Sequence, residues 1–223
     1  ELKYVISDAD AELLAIRLGA AMKPDPYAQK TGGGYHIRSL YFDDALDSAV
    51  EQKVAGVQYR DKWRIRIYNF SDRVIKLERK HKNGQFIKKD SLSLTRNQAE
   101  ALIAGEFTFL LYQQHPFAKE AYAALRTEGL RPKVIVDYYR QPFVFPLEDV
   151  RITLDRNIRT GYFSTDLFNP HAITYPATEL IGQCVLEVKF NNYLDPYVAE
   201  LIQLPASLKT AASKYLFCRQ YDC

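Results

Sequence analysis

The stretch "DKWRIRIYNF" (61–70) places Lys62, Arg64, Arg66 and Tyr68 at every second position, with Trp63, Ile65 and Ile67 between them. Alternate side chains of a strand point to opposite faces, so this segment offers a row of cations on one side and large apolar groups on the other. Such a row suits phosphate chemistry. Guanidinium forks match phosphate oxygens, and ammonium groups add compact charge.

The pattern recurs. In "IKLERK", Lys76, Glu78 and Lys80 share a face opposite Ile75 and Leu77; in "VLEVKF", Glu187 and Lys189 oppose Leu186, Val188 and Phe190. "VRITLD" sets Arg151, Thr153 and Asp155 against Ile152 and Leu154. Two arrangements fit these strands. They form either the solvated outer faces of a sandwich or the inner wall of a closed antiparallel barrel whose apolar exterior lies under helices. Arg64 and Arg66 beside Lys62 repel one another, which favours an arrangement with an anion among them.

Glu78 and Glu187 are carboxylates embedded in basic faces. Each is either an ion-pair partner for its neighbours or a hard oxygen ligand that shares Mg²⁺ or Mn²⁺ with phosphate oxygens. His36, His81, His115 and His171 lack ligand-type spacing and read as surface or core residues. Aromatic clusters such as "FTFLLY" and "YYRQPFVF" read as core.

The elements that must carry these residues can be read in outline. "SDADAELLAIRLGAAM" has Ser7 and Asp10 at capping-box spacing and an apolar stripe of Leu13, Leu14, Ile16 and Leu18, which predicts a helix. The Gly32 to Gly34 run lacks the Gly-Lys-Ser/Thr ending of a phosphate loop and precedes a strand-like stretch, so it reads as a turn. Asp43 or Asp44 is placed to cap a short helix through "ALDSAVEQK". Six strands are expected in "VQYRDKWRIRIYN", "RVIKLERK", "QFIKKDSLSL", "KVIVDYYRQPFVF", "VRITLDRNI" and "CVLEVKF". Helices are expected in "TRNQAEALIAG", with Thr95 and Gln98 as a capping box, in "PFAKEAYAALRTEG", and after Pro205 in the tail.

The chain has 223 residues, 47% hydrophobic and 26% charged, which excludes disordered and fibrous classes. With no internal repeat or linker, residues 1–223 read as a single α+β domain built on an antiparallel sheet. The net charge is only +3, so a general nucleic-acid binder is not expected, although Tyr59, Trp63 and Tyr68 lie among the cations. Cys184, Cys218 and Cys223 are sparse and lack metal spacing, which favours free thiols and a cytoplasmic setting. No apolar run reaches the length of a membrane span, and "ELKYVISDAD" has no signal-peptide layout.

Eight segments in order, "ELKY", "SLYFDD", "KVAGVQYRDKWRIRIY", "LERKHKNGQFIKK", "DYYRQPF", "RITLD", "LEVKF" and "SKY", resemble the vacuolar transporter chaperone (VTC) domain. That domain is the polyphosphate polymerase branch of the triphosphate tunnel metalloenzymes, within the CYTH-like superfamily. The resemblance implies a tunnel-shaped antiparallel β-barrel coated by helices, with a C-terminal helix near its mouth. It implies ATP and Mn²⁺ or Mg²⁺ as ligands, and transfer of the γ-phosphate to a polyphosphate chain, with pyrophosphate or triphosphate as related ligands.

Carried over by motif, Lys3, Arg64, Arg66, Arg140 and Lys214 would act on the reacting phosphates. Lys53, Arg60, Lys62, Lys76, Lys80, Lys88, Tyr138, Arg151, Lys189 and Ser213 would hold substrate, and Glu187 with Glu78 would bind metal. Relatives carry a lysine where this chain has Ala211, with Lys209 nearby but displaced. No inositol-phosphate sensor or membrane anchor is recognisable, so coupled translocation would require a membrane-protein partner. A triphosphatase of the same fold and a non-catalytic polyphosphate or nucleotide sensor stand as alternatives.

Overall fold

The computed structural model describes residues 1–84, 86–145, 150–162, 164–191, 193–204, 208–209 and 212–220. In chain order the elements are β1 (Leu2–Ser7), α1 (Asp8–Ala21), β2 (Lys23–Pro24), α2 (Pro26–Lys30), β3 (Tyr35–Asp43), α3 (Ser48–Val54), β4 (Tyr59–Tyr68) and β5 (Ser71–Asn83). There follow β6 (Phe86–Leu94), α4 (Arg96–Ile103), a 3-10 turn (Thr108–Tyr112), α5 (Pro116–Thr127), β7 (Arg131–Phe145), β8 (Val150–Tyr162) and β9 (Tyr175–Pro176). A second 3-10 turn (Thr178–Leu180), β10 (Gln183–Lys189), α6 (Pro196–Leu201), β11 (Leu208–Lys209) and α7 (Lys214–Arg219) complete the chain.

The fold is α+β. Among the described residues the strands form one 11-stranded sheet ordered β11-β1-β10-β8-β7-β3-β4-β5-β6, with β2 on β7 and β9 on β8. The six predicted strands correspond to β4, β5, β6, β7, β8 and β10. Two compact units are distinguished, one of residues 1–36, 137–159 and 176–217, the other of 37–136, 160–175 and 218–223.

In the first unit, β10 pairs antiparallel with β1 and β8, so that Glu187 lies opposite Lys3 on one side and Thr153 on the other. The opposite face carries Ile6, Ile152, Leu154, Leu186 and Val188, which join Ala11, Leu14 and Leu18 of α1 in a buried core. Ser7 caps α1, since the Asp10 N–H donates to its Oγ at 3.0 Å. The helix's buried stripe is narrower than the sequence suggested. Leu13 and Ile16 are 54% and 71% exposed, because only positions three and four apart share the sheet-facing side.

The tail departs from the expected helix. Leu208 and Lys209 instead pair with Val5 and Tyr4 as β11, and among the described residues of the tail the helix is α7; residues 205–207, 210 and 211 lie outside the described residues. Pairing there satisfies backbone groups that β1 would otherwise present at an edge, a demand that helix propensity does not register.

The second unit contains the meander β3-β4-β5-β6. Trp63, Ile65, Ile67, Ile75, Leu77, Leu92 and Leu94 form its apolar face, packed against Ala99 and Leu102 of α4 and Phe117, Ala121 and Leu125 of α5. Both predicted helix starts hold: Thr95 and Gln98 make the two bonds of a capping box, and Pro116 opens α5. The short helix α3 begins later than expected. Its N-cap is Asp47, while the Asp43 and Asp44 carboxylates accept from the Ala49 and Ser48 N–H groups.

Cys184 and Cys218 are buried, and burial pushes the Cys184 thiol up to about 12; Cys223 lies outside the described residues. No helix of the described residues is long and apolar enough to cross a membrane.

Candidate functional site

In the first unit the charged face of β1, β8 and β10 converges on Glu187. Cross-strand register sets Lys3 directly opposite it, and the Lys3 ammonium lies 3.4 Å from Glu187 Oε1. Lys214, the first residue of α7, donates to the same oxygen at 2.8 Å and lies 2.6 Å from Asp155 Oδ2. Arg140 on β7 binds Asp155 through Nε and Nη2, both at 2.7 Å, and its Nη2 is 3.5 Å from Glu187 Oε2. The Tyr138 ring faces two of these cations, 5.3 Å from Arg140 Cζ and 5.1 Å from Lys214 Nζ. Thus the predicted Lys3, Tyr138, Arg140, Glu187 and Lys214 share one cluster.

Burial alone would raise the pKa of Glu187, but Lys214, Lys3 and Arg140 together hold it well below the usual carboxylate range. Burial would equally lower Lys214. Asp155 and Glu187 outweigh that effect and raise it, so Lys214 is an ammonium at neutral pH rather than a base. Asp155 is fully buried and was not among the predicted site residues. Its parity with Thr153 and Arg151 in "VRITLD" was the available signal.

Thr153, opposite Glu187 on the same face, is 2% exposed, and its hydroxyl has no hydrogen-bond partner among the described residues. Arg151 lies one row along, opposite the exposed Lys189, and donates to Asp25 at 2.8 Å and Tyr35 at 3.0 Å. Ser213 accepts from the Leu216 N–H at 3.4 Å, which places it at the start of α7 just before Lys214. Ala211 lies outside the described residues. Lys209 is the β11 residue that pairs with Tyr4.

The second unit carries a basic face on β3 to β6. Register forms three rows: Ser39, Arg66, Lys76 and Ser93; Tyr41, Arg64, Glu78 and Ser91; and Lys62, Lys80 and Lys89. Arg64 donates to Glu78 at 2.7 Å and to the Tyr41 hydroxyl at 2.8 Å. Arg66 donates to Ser39 at 3.1 Å and approaches Glu78 at 3.9 Å, while Lys76 reaches Ser93 at 2.7 Å. Lys89 also pairs with Glu78. Burial would raise Glu78, yet Arg64, Arg66 and Lys89 bring it down to about 2.

Lys88 has the opposite parity. It shares a face with Asp61 and His81, lies opposite His81 and pairs with Asp90 at 3.0 Å, so Lys89 rather than Lys88 joins the basic rows. Arg60 lies opposite Lys82 and donates to the Val57 carbonyl. Lys53 belongs to α3, whose cap Asp47 is held by Lys133 at 2.9 Å and Arg219 at 2.6 Å. The histidines have structural partners: His36 edges Tyr139, His81 meets Asp61, His115 caps α5 and the His171 N–H donates to Asn169.

A divalent cation fits Glu187 in part. The carboxylate is ionised and offers hard oxygens, with Asp155 beside it. Among the described residues no three His, Cys, Asp or Glu side chains converge to form a full metal cage. A Mg²⁺ or Mn²⁺ there would take its remaining ligands from water and phosphate oxygens, as Mg²⁺ commonly does.

The family model of the VTC domain matches residues 1–221 of the chain. No curated protein sequence matches. Among solved structures, the crystal structure of bh2851 from Bacillus halodurans, described as a "putative adenylate cyclase", superposes with a TM-score of 0.51 at 13% identity, covering 86% of this chain and 79% of that one. At that identity the likeness concerns the fold.

Proposed function

This chain belongs to the VTC domain family, and from that premise we propose that it is a polyphosphate polymerase, transferring the γ-phosphate of ATP to a phosphate chain. The observation that supports this reading is the cluster around Glu187, where three buried or half-buried cations, Lys3, Arg140 and Lys214, converge on one carboxylate, with Asp155 beside Arg140 and Lys214 and Glu1 beside Lys3. Cations held together in this way suit a polyanion. The basic rows of the second unit, with Arg64, Arg66, Lys62, Lys76, Lys80 and Lys89 around Glu78, suit one too.

The reading includes the closed tunnel-shaped barrel implied by the family resemblance. Phosphoryl transfer of this kind is catalysed mainly by positioning and by neutralising charge on the phosphate oxygens. Arg140 is oriented by its two bonds to Asp155, and Lys214 is kept cationic by Asp155 and Glu187; both present fixed positive charge to an incoming triphosphate. Lys3 completes the group. The nucleophile is the terminal phosphate of a chain or inorganic phosphate, which needs no strong base. Mn²⁺ or Mg²⁺, held by Glu187 and in the second unit by Glu78, would supply further neutralisation of phosphate charge. Movement of the product across a membrane would fall to partner proteins.

Product analysis tests this. Wild-type protein incubated with ATP and Mn²⁺ should yield long phosphate chains resolved by gel electrophoresis, and Glu187→Gln should lose metal-dependent turnover. Orthophosphate as the sole product would assign a triphosphatase instead. Salt-sensitive binding of polyphosphate without turnover under any divalent cation would assign a sensor.

A further inference from the structure

Thr153 presents a donor that the folded chain leaves unused. Its residue is 2% exposed and its hydroxyl has no hydrogen-bond partner among the described residues. Burying a hydroxyl without a partner is costly, so such a group in a folded protein marks a water, an ion or a ligand contact. Its place in the sheet selects among these. Thr153 is the cross-strand neighbour of Glu187, which is in turn the neighbour of Lys3, so the three side chains share one row and one face. Two positions along β8 on the same face, Asp155 holds Arg140 and Lys214.

Cations converge on this row. Lys3, Arg140 and Lys214 surround Glu187, Asp155 holds the latter two and Glu1 lies 3.5 Å from Lys3, and burial keeps most of these groups from water. A hydroxyl beside such a cluster can donate to an oxyanion that the cations attract, adding direction to charge.

We propose that Thr153 is a substrate-binding residue whose hydroxyl donates a hydrogen bond to a phosphate oxygen of a triphosphate or longer phosphate chain bound at Lys3, Arg140 and Lys214. The proposal rests on the phosphotransferase reading and adds to it a neutral donor that selects an oxyanion by geometry. An isosteric Val at 153 fills the same space but removes the donor. Ser keeps the donor and removes a methyl.

The test is calorimetric titration of the full chain with inorganic tripolyphosphate, in EDTA and separately with Mn²⁺, together with thermal melts of the ligand-free proteins. Thr153→Val should bind tripolyphosphate about tenfold or more weakly than wild type in both buffers. Thr153→Ser should stay within about threefold of wild type, and the Val variant alone should melt no lower than wild type, because no bond is lost in the free protein. Equal binding by Val and wild type would overturn the proposal while leaving the phosphotransferase reading intact. A defect confined to Mn²⁺ buffer would overturn it in favour of a metal ligand, and a lower melting temperature of free Thr153→Val would overturn it in favour of a structural bond. If wild type itself failed to bind tripolyphosphate, the functional reading would fall and the proposal with it.

Discussion

The Arg140 guanidinium meets the Asp155 carboxylate through two parallel bonds, Nε to Oδ1 and Nη2 to Oδ2, each 2.7 Å long. Two-point pairing fixes the plane as well as the position of the cation, and Asp155 is fully buried. The same carboxylate lies 2.6 Å from Lys214, so one acidic residue orients two of the proposed phosphate contacts.

Asp155→Asn should therefore destabilise the protein strongly. Breaking a buried pair from one side leaves uncompensated charge, at a cost of about 3 to 5 kcal/mol. Urea unfolding at pH 7 reads this directly. A midpoint equal to that of wild type would show that the pairing carries no structural weight.

The parity of β6 separates two adjacent lysines. Lys89 lies in the row with Lys80 and Lys62, whereas Lys88 lies opposite His81 on the other face. Lys89→Ala should weaken tripolyphosphate binding and flatten its dependence on salt, and Lys88→Ala should change neither. The reverse ranking in a titration at two salt concentrations would remove Lys89 from the binding face.

The alternation in "DKWRIRIYNF" was enough to separate Arg64 and Arg66 from Trp63 and Ile65, because strand period is local. The same alternation in β6 sets Lys88 with the buried Leu92 and Leu94 and Lys89 with Ser91 and Ser93, a signal that the motif-by-motif assignment of Lys88 passed over. Asp155 was visible as a second charged residue on its face, beside Arg151, but its hold on Arg140 depends on the pairing of β7 and β8. The β11 pairing was hidden because "LK" becomes a strand through the backbone needs of β1 rather than through its own side chains.

Glu78 gives a pH signature. Its folded pKa of about 2 lies below the ordinary carboxylate value of 4.5, so its contribution is present above about pH 4.5 and is lost as pH falls through about 2. The shift corresponds to on the order of 3 kcal/mol. Glu78→Gln should be less stable than wild type at pH 7, and the gap should close as acid approaches pH 2. Denaturant melts across that range check it, and a gap independent of pH would contradict the ion-pair assignment.

Gly34 couples backbone fit to the site. A Cβ there would come within 2.5 Å of the Tyr139 hydroxyl and 2.7 Å of the Arg140 backbone oxygen. Gly34→Ala should cost about 1 to 3 kcal/mol by overpacking and should weaken tripolyphosphate binding as Arg140 shifts. Thermal melts paired with binding isotherms check both effects. Loss of stability without loss of binding would confine the contact to folding.

Trp63 is the only tryptophan in the chain, and it lies on β4 between Lys62 and Arg64 with its ring stacked on Phe117 at 5.5 Å and 5°. Its side chain is buried on the face opposite the basic rows, and Arg79 lies over the ring at 5.4 Å. The molecule therefore carries an intrinsic optical probe behind the Arg64 row. Under the proposed function its emission should change when tripolyphosphate loads that row, a readout that needs no attached label.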